Sequence, residues 1–332
     1  MSDETNFLDP KEVKRLSQLT PSRTLVALVA DWAVVAAAVA VSEWSGSWLV
    51  WLVAVPVIAG RMHAFSGLIH DFSHYRFISN KAVSDWIGDL FLAWPLLATI
   101  EGYRRNHLAH HRYTNTGKDP DWVIKLGRRE FTFPQEMRFA ILNLAGYFVG
   151  VSSMRDMRLA LKRLQADDPF SRSYKLLRLV YYMSIITAVT LLGVWREFLL
   201  YWAVPYFTVF FFLLYIRSAA EHFGETMDYT NEFTGTRTVK PYFWERWIFC
   251  PHNLNHHLEH HLYPSVPYYR LPELAAALER NANYAGTAHL TRGYVTGLVR
   301  ELWLDGWQKR RDRKAAGLQP AKAEPVKHAG NY

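Results

Sequence analysis

Four long apolar runs, arranged as two pairs, organise the chain. Thr24 to Ser42 is apolar apart from Asp31, and Trp48 to Gly60 is apolar and continues past Arg61 through Met62 to Ile69. After a long polar stretch come Leu179 to Val194 and Phe198 to Ile216. Each run approaches the roughly 20 residues that a helix needs to cross the hydrocarbon core. The connectors within the pairs, Glu43-Trp44-Ser45-Gly46-Ser47 and Trp195-Arg196-Glu197, are very short. The pattern therefore predicts an all-α integral membrane protein with four transmembrane helices, at about 24–43, 48–69, 176–194 and 198–217, in two hairpins. Two further apolar stretches, Trp86 to Ile100 and Phe139 to Val151, are shorter and interrupted. Segments of that kind are expected to lie as interfacial helices against the leaflet. Residues 1–23 read as a polar N-terminal segment, loose from Met1 to Thr20, without the apolar core of a cleavable signal. Residues 306–332 read as a disordered basic tail.

Composition sharpens this picture. Half of the residues are hydrophobic and 15% aromatic, yet the mean hydropathy is −0.09. A few spans carrying a sizeable polar cap, at 70–175 and 218–305, fit that balance. Residues 1–23, 70–175 and 217–332 carry four, sixteen and fifteen Lys/Arg, together 35 of the 38 in the chain. The cytoplasmic excess of Lys/Arg predicts a multi-pass topology with both termini and the cap inside; the family resemblance set out below implies a bacterial inner membrane. The net charge of +8 thus reads as a topology and lipid-surface signal, and no nucleic-acid partner is expected. Cys250 is the only cysteine, which excludes an internal disulfide, a Cys-rich zinc site and an iron–sulfur cluster. No Gly-x-Gly-x-x-Gly or Gly-Lys-Ser/Thr loop is present, so no built-in nucleotide or flavin module is expected.

Most of the 14 histidines fall into clusters: His70 and His74; His107, His110 and His111; and His256, His257, His260 and His261, preceded by His252. His222 follows the fourth apolar run. Residues four apart share a helical face, so His70/His74, His107/His111 and His257/His261 can each aim two imidazoles at one point. His110 and His260 are expected to add a third nitrogen to their own clusters. Eight or nine imidazoles exceed the capacity of one ion. A structural zinc needs four ligands, whereas two irons with four or five each keep open positions. Asp71, Glu101, Asp119, Asp121, Glu221 and Glu259, with His252 and His256, are candidates for fixing imidazole tautomers. His63, His289 and His328 read as ordinary histidines.

These residues resemble the membrane fatty acid desaturase superfamily. Its signature of His-x3-His, His-x2-His-His and His-x2-His-His is matched in order and spacing, and the resemblance runs from about Thr24 to Leu278. His110-His111-Arg112-Tyr113-Thr114 through Asp119-Pro120-Asp121, Ser218 to His222, and His257 through Pro264 resemble the family's extended boxes. The resemblance implies a desaturase domain over 24–305 with a four-helix stem and a cytosolic helical cap holding a di-iron site. It implies His70, His74, His107, His110, His111, His222, His257, His260 and His261 as metal ligands, with no catalytic residue beyond them. It also implies two Fe ions as cofactor, molecular oxygen as co-substrate and a fatty acyl chain of a lipid as substrate. No fused cytochrome domain is evident, so an external electron donor, ferredoxin-like or cytochrome b5-like, is expected. A basic face including Arg104, Arg105, Arg112, Arg128 and Arg129 is its expected dock. The alternatives are a hydroxylase or ketolase of an acyl lipid or carotenoid on the same scaffold and, more remotely, a metal transporter or sensor. The latter normally needs ionisable groups in its spans, where only the lone Asp31 is expected.

Overall fold

A computed structural model describes residues 7–166, 170–230 and 233–317. The fold is mostly helical. Helix α1 is Pro10–Leu16, α2 Pro21–Ser45 and α3 Trp48–Ser73. Then follow α4 (Lys81–Leu96) and α5 (Ile100–Tyr113), α6 (Met137–Phe148) and α7 (Val151–Ala166), α8 (Arg172–Leu192) and α9 (Trp195–His222). Among the shorter helices are α10 (His257–Leu262), α11 (Leu271–Leu278) and α12 (Gly306–Ala315). Among the described residues, α2, α3, α8 and α9 are the helices long and apolar enough to cross a membrane.

Local chemistry sets the limits of these spans. Helix α2 starts on Pro21, whose missing N–H costs nothing in a first turn, and stops at Gly46 with φ 58°. Helix α8 stops in the same way at Gly193 with φ 69°. Glycine takes this left-handed cap without a Cβ penalty. Helix α9 contains two π-helical turns, Leu199–Ala203 and Tyr206–Phe210, on either side of Val204-Pro205, where proline removes an N–H from the ladder. The two shorter apolar stretches are not straight. Helices α4 and α5 meet at 88°, and α6 and α7 at 81°, through left-handed residues Leu97 and Gly150.

Three expectations change. Asp31 is not alone: its Oδ1 accepts from Arg61 Nη1 at 2.9 Å and its Oδ2 lies 2.7 Å from His252 Nε2. Burial of a charge requires such compensation. The N-terminal segment is not loose from residue 7 onward. Leu16 is fully buried, Thr20 N donates to Tyr269 Oη, and Asn281 Nδ2 donates to Phe7 O. The expected tail begins with an ordered helix, α12, anchored by Arg310 on Glu225; residues 318–332, His328 included, lie outside the described residues.

Two strands, Thr238–Lys240 and Leu290–Arg292, pair in parallel and brace α10. Thr238 Oγ1 accepts from Leu258 N and donates to Glu259.

Candidate metal centre

The ends of four helices meet in one buried place. His70 and His74 sit at the end of α3, and His107, His110 and His111 in the last two turns of α5. His222 ends α9, and His257, His260 and His261 lie on α10. The ring nitrogens of His70, His74, His107, His111 and His260 form one group, and those of His110, His222, His257 and His261 another. Within each group the nitrogens lie within 4.8 Å of one another. Each predicted i,i+4 pair stays together. The expectation for His110 and His260 is corrected: each joins the group opposite to that of its own i,i+4 pair. The reason is helical geometry. Adjacent residues on α5 and α10 point about 100° apart, so a helix lying between two sites serves both.

The nitrogens stand at the spacing that ligands of one ion adopt. His107 Nε2 and His111 Nε2 are 3.1 Å apart, His111 Nε2 and His260 Nε2 3.0 Å, and His222 Nε2 and His257 Nε2 2.8 Å. Two imidazole nitrogens, each about 2.1 Å from one ion and at right angles, stand about 3.0 Å apart. His70 Nε2 and His74 Nε2 are buried without a hydrogen-bond partner. An unsatisfied buried polar atom costs about 1–3 kcal/mol, and a metal removes that cost. Burial, reinforced by neighbouring imidazoles, holds His107, His111, His257 and His260 well below the ordinary histidine pKa. Burial likewise lowers His74 to about 3. These rings are neutral at pH 7 and present lone pairs, the form a metal binds. All-imidazole groups of this kind suit iron, copper, zinc or nickel.

The surrounding groups sort themselves. Asp119 Oδ2 lies 2.8 Å from His110 Nδ1. Burial alone would lower His110, but the hydrogen bond and charge of Asp119 outweigh it and raise the pKa. Glu221 Oε1 is 3.5 Å from His257 Nδ1 and takes Arg217 Nε at 2.6 Å. His222 Nδ1 faces Gly235 O at 3.4 Å, and Thr114 Oγ1 is 3.5 Å from His261 Nδ1. Glu259 stands 3.5 Å from His256 and binds Thr238, which fixes α10 rather than a ring of either group. Asp71 accepts from Tyr268 N, Asp121 from Asn106, and Glu101 from Arg104 and Arg105. His252 turns away to Asp31. His63 and His289, taken as ordinary, are both engaged: His63 Nδ1 lies 3.2 Å from Ile248 O and His289 Nε2 2.6 Å from Glu301.

Two arginines not singled out as structural hold the helix ends. Arg104 donates to Ser73 O and Phe72 O at the end of α3, and pairs with Asp85. It is buried, so it is not part of an exposed docking face. Arg237, fully buried, donates to Ala219 O, Ala220 O and Phe223 O at the end of α9 and pairs with Glu301. A cation at a helix C-terminus satisfies orphan carbonyls and opposes the dipole. The sequence signal for both was faint: each is a single Arg in a chain with many.

A cavity of about 290 Å³ reaches His107, His110, His222 and His257. Its wall joins polar Tyr103, Asp121 and Lys125 to apolar Phe131, Phe211 and Leu214.

The chain is similar to known desaturases. A dihydrorhizobitoxine desaturase of Bradyrhizobium elkanii is 27% identical, over 83% of this chain and 81% of its own length. An sn-1 oleoyl-lipid 12-desaturase of Arthrospira platensis is 23% identical, over 70% of this chain and 68% of its own. An sn-1 acyl-lipid omega-3 desaturase (ferredoxin) of Nostoc is 24% identical, over 72% and 70%. Residues 17–293, spanning all four long apolar helices and all nine clustered histidines, match the family description "Fatty acid desaturase", and the chain belongs to the fatty acid desaturase family.

Proposed function

We propose that this chain is a membrane-bound, oxygen-dependent di-iron desaturase that introduces a double bond into a fatty acyl chain of a lipid. The observation that carries the reading is the pair of buried histidine groups, five and four nitrogens strong, at the ends of apolar helices. His70, His74, His107, His111 and His260 are the proposed ligands of one iron, and His110, His222, His257 and His261 of the other. When bound, the two irons supply the oxidising power, with molecular oxygen as co-substrate, that removes hydrogen from an unactivated carbon–hydrogen bond. The residues do the rest. The neutral imidazoles offer lone pairs, and Asp119 holds the His110 proton on Nδ1 so that Nε2 faces its group. Arg104 and Arg237 fix the helix ends, and burial keeps water out. Asp31 and Arg61 neutralise each other within the spans, which speaks against an ion pathway along them.

In this reading the desaturase domain covers 24–305, with the 70–175 and 218–305 segments as a cap on the cytoplasmic side and both termini there. The membrane is a bacterial inner membrane. Electrons come from a separate ferredoxin-like or cytochrome b5-like protein; one relative carries ferredoxin in its name. The test is expression in a host lacking the activity, with mass spectrometry of lipids and elemental analysis of the purified protein. A product lighter by two hydrogens and about two irons per chain are expected. A product carrying one added oxygen, with no unsaturated product at any time, reassigns the chain to a hydroxylase or ketolase. Stoichiometric zinc without iron in active protein overturns the metal assignment.

A further inference from the structure

Two cavities share Arg128 and Leu159 in their walls. The inner one, described above, reaches the histidines. The outer one, of about 990 Å³, lies where the bend between α6 and α7 faces Phe207 of α9. Its lining combines Arg128, Arg155, Arg158 and Glu130 with apolar Val151 and Met154. The same bend exposes Ile141, Leu142, Phe148, Val149 and Val151. In a chain with four apolar spans, such a surface belongs in hydrocarbon, and basic residues at its rim belong at the headgroups.

The charges are unequal. Glu130 takes Arg155 Nη1 at 2.7 Å and Arg128 Nε at 3.4 Å, and Asp156 is 3.2 Å and 3.4 Å from the same two arginines. These acids are committed and leave no free anion for a choline-type cation. Arg158 is exposed, and among the described residues it has no hydrogen bond or ion pair. A free guanidinium beside an apolar mouth matches a phosphate that carries an acyl chain.

We propose that this opening admits the substrate: Arg158 binds the phosphate of an anionic phospholipid, and the acyl chain passes Leu159 and Arg128 to reach the histidines. The inference rests on the acyl-desaturase reading and adds the substrate's headgroup class and its route. Full-length protein is given vesicles of phosphatidylglycerol or phosphatidylcholine with identical acyl chains, with electron donor in excess. The desaturation rate is measured, together with the lipid retained after detergent exchange by native mass spectrometry. Phosphatidylglycerol is expected to be favoured about fivefold in both readouts, the increment of one basic contact at an anionic surface. Arg158→Glu abolishes the preference and Arg158→Lys restores most of it. Leu159→Trp narrows the passage and lowers kcat on both lipids while the retained lipid is unchanged. Equal rates and retention for the wild type, an intact preference in Arg158→Glu, or a Leu159→Trp enzyme as fast as the wild type overturns the proposal. If neither lipid is oxidised, the acyl-desaturase reading fails by itself. Retention then decides the headgroup site alone: a fivefold excess of phosphatidylglycerol supports it, and equal retention refutes it.

Discussion

Asp119→Asn separates the two duties of one carboxylate. Oδ2 faces His110 Nδ1 at 2.8 Å and accepts from Asn115 N at 3.0 Å, while Oδ1 accepts from Asp121 N at 2.8 Å and Trp122 N at 3.1 Å. Asparagine has one acceptor oxygen. If that oxygen stays with Asp121 and Trp122, the amide NH2 meets Asn115 N–H and forces His110 to carry its proton on Nε2, the nitrogen aimed at the metal. If the amide turns over, His110 keeps its tautomer but the turn at 119–122 loses its cap, worth about 1 kcal/mol. The first arrangement sacrifices an orienting partner, which lowers metal affinity about 10–100-fold, or about 1.4–2.8 kcal/mol at about 1.4 per decade. The turned amide is therefore favoured, with a modest loss of stability, and the missing charge weakens iron binding toward the lower end of that range. Asp119→Ala loses both functions and falls at the upper end. The assay is iron per chain after equilibration with graded chelator, alongside the thermal midpoint in detergent. Asp119→Asn with wild-type iron retention and an unchanged midpoint, or Asp119→Ala no worse than Asp119→Asn, refutes the reasoning.

Other outcomes follow from the same structure. Asp31→Leu leaves the buried Arg61 without its carboxylate and is expected to cost about 3–5 kcal/mol, whereas Asp31→Leu with Arg61→Met costs clearly less; additive losses on unfolding in detergent contradict that coupling. Burial raises the Glu301 pKa, but His289 and Arg237 more than offset it, so the folded value is depressed. Its contribution is therefore complete above the ordinary carboxylate range near 4.5 and fades as pH falls below it. Glu301→Gln flattens the acid limb of stability against pH, and a profile parallel to wild type counts against this. Reporter fusions after Ser45 and Trp195 are expected outside and one at Asn115 inside; an outside signal at Asn115 inverts the topology. His111→Ala is expected to lose iron and activity while inserting normally, since spanning helices satisfy their own backbone; loss of insertion refutes this.

The length of the apolar runs made the spans legible because membrane helices answer to a one-dimensional constraint: about 20 apolar residues in a row. The histidines were legible because i,i+4 spacing puts two rings on one face. The exchange of His110 and His260 between groups was not, because it depends on how α5 and α10 lie between α3 and α9, a three-dimensional fact absent from spacing. Asp31 looked solitary for the same reason: its partner Arg61 lies 30 residues away on the next helix. Arg104 looked like a surface cation because local sequence does not record the helix end it faces. Of the acids proposed to orient imidazoles, Asp119 and Glu221 lie beside His110 and His257, both of the four-nitrogen group, whereas Asp71 and Glu101 serve backbone and arginine.

The exchange of histidines also sets an order on biogenesis. One group draws four members from residues 70–111 and a fifth, His260, from far downstream; the other draws His110 from early in the chain and the rest from 222–261. A nascent chain that has emerged through Thr114 owns most of one set and completes neither. Both close only after α9 has inserted and residue 261 has left the ribosome. Under the di-iron reading, iron delivery is thus a late step in maturation, and a product arrested before that point lacks both sites together rather than carrying one finished half.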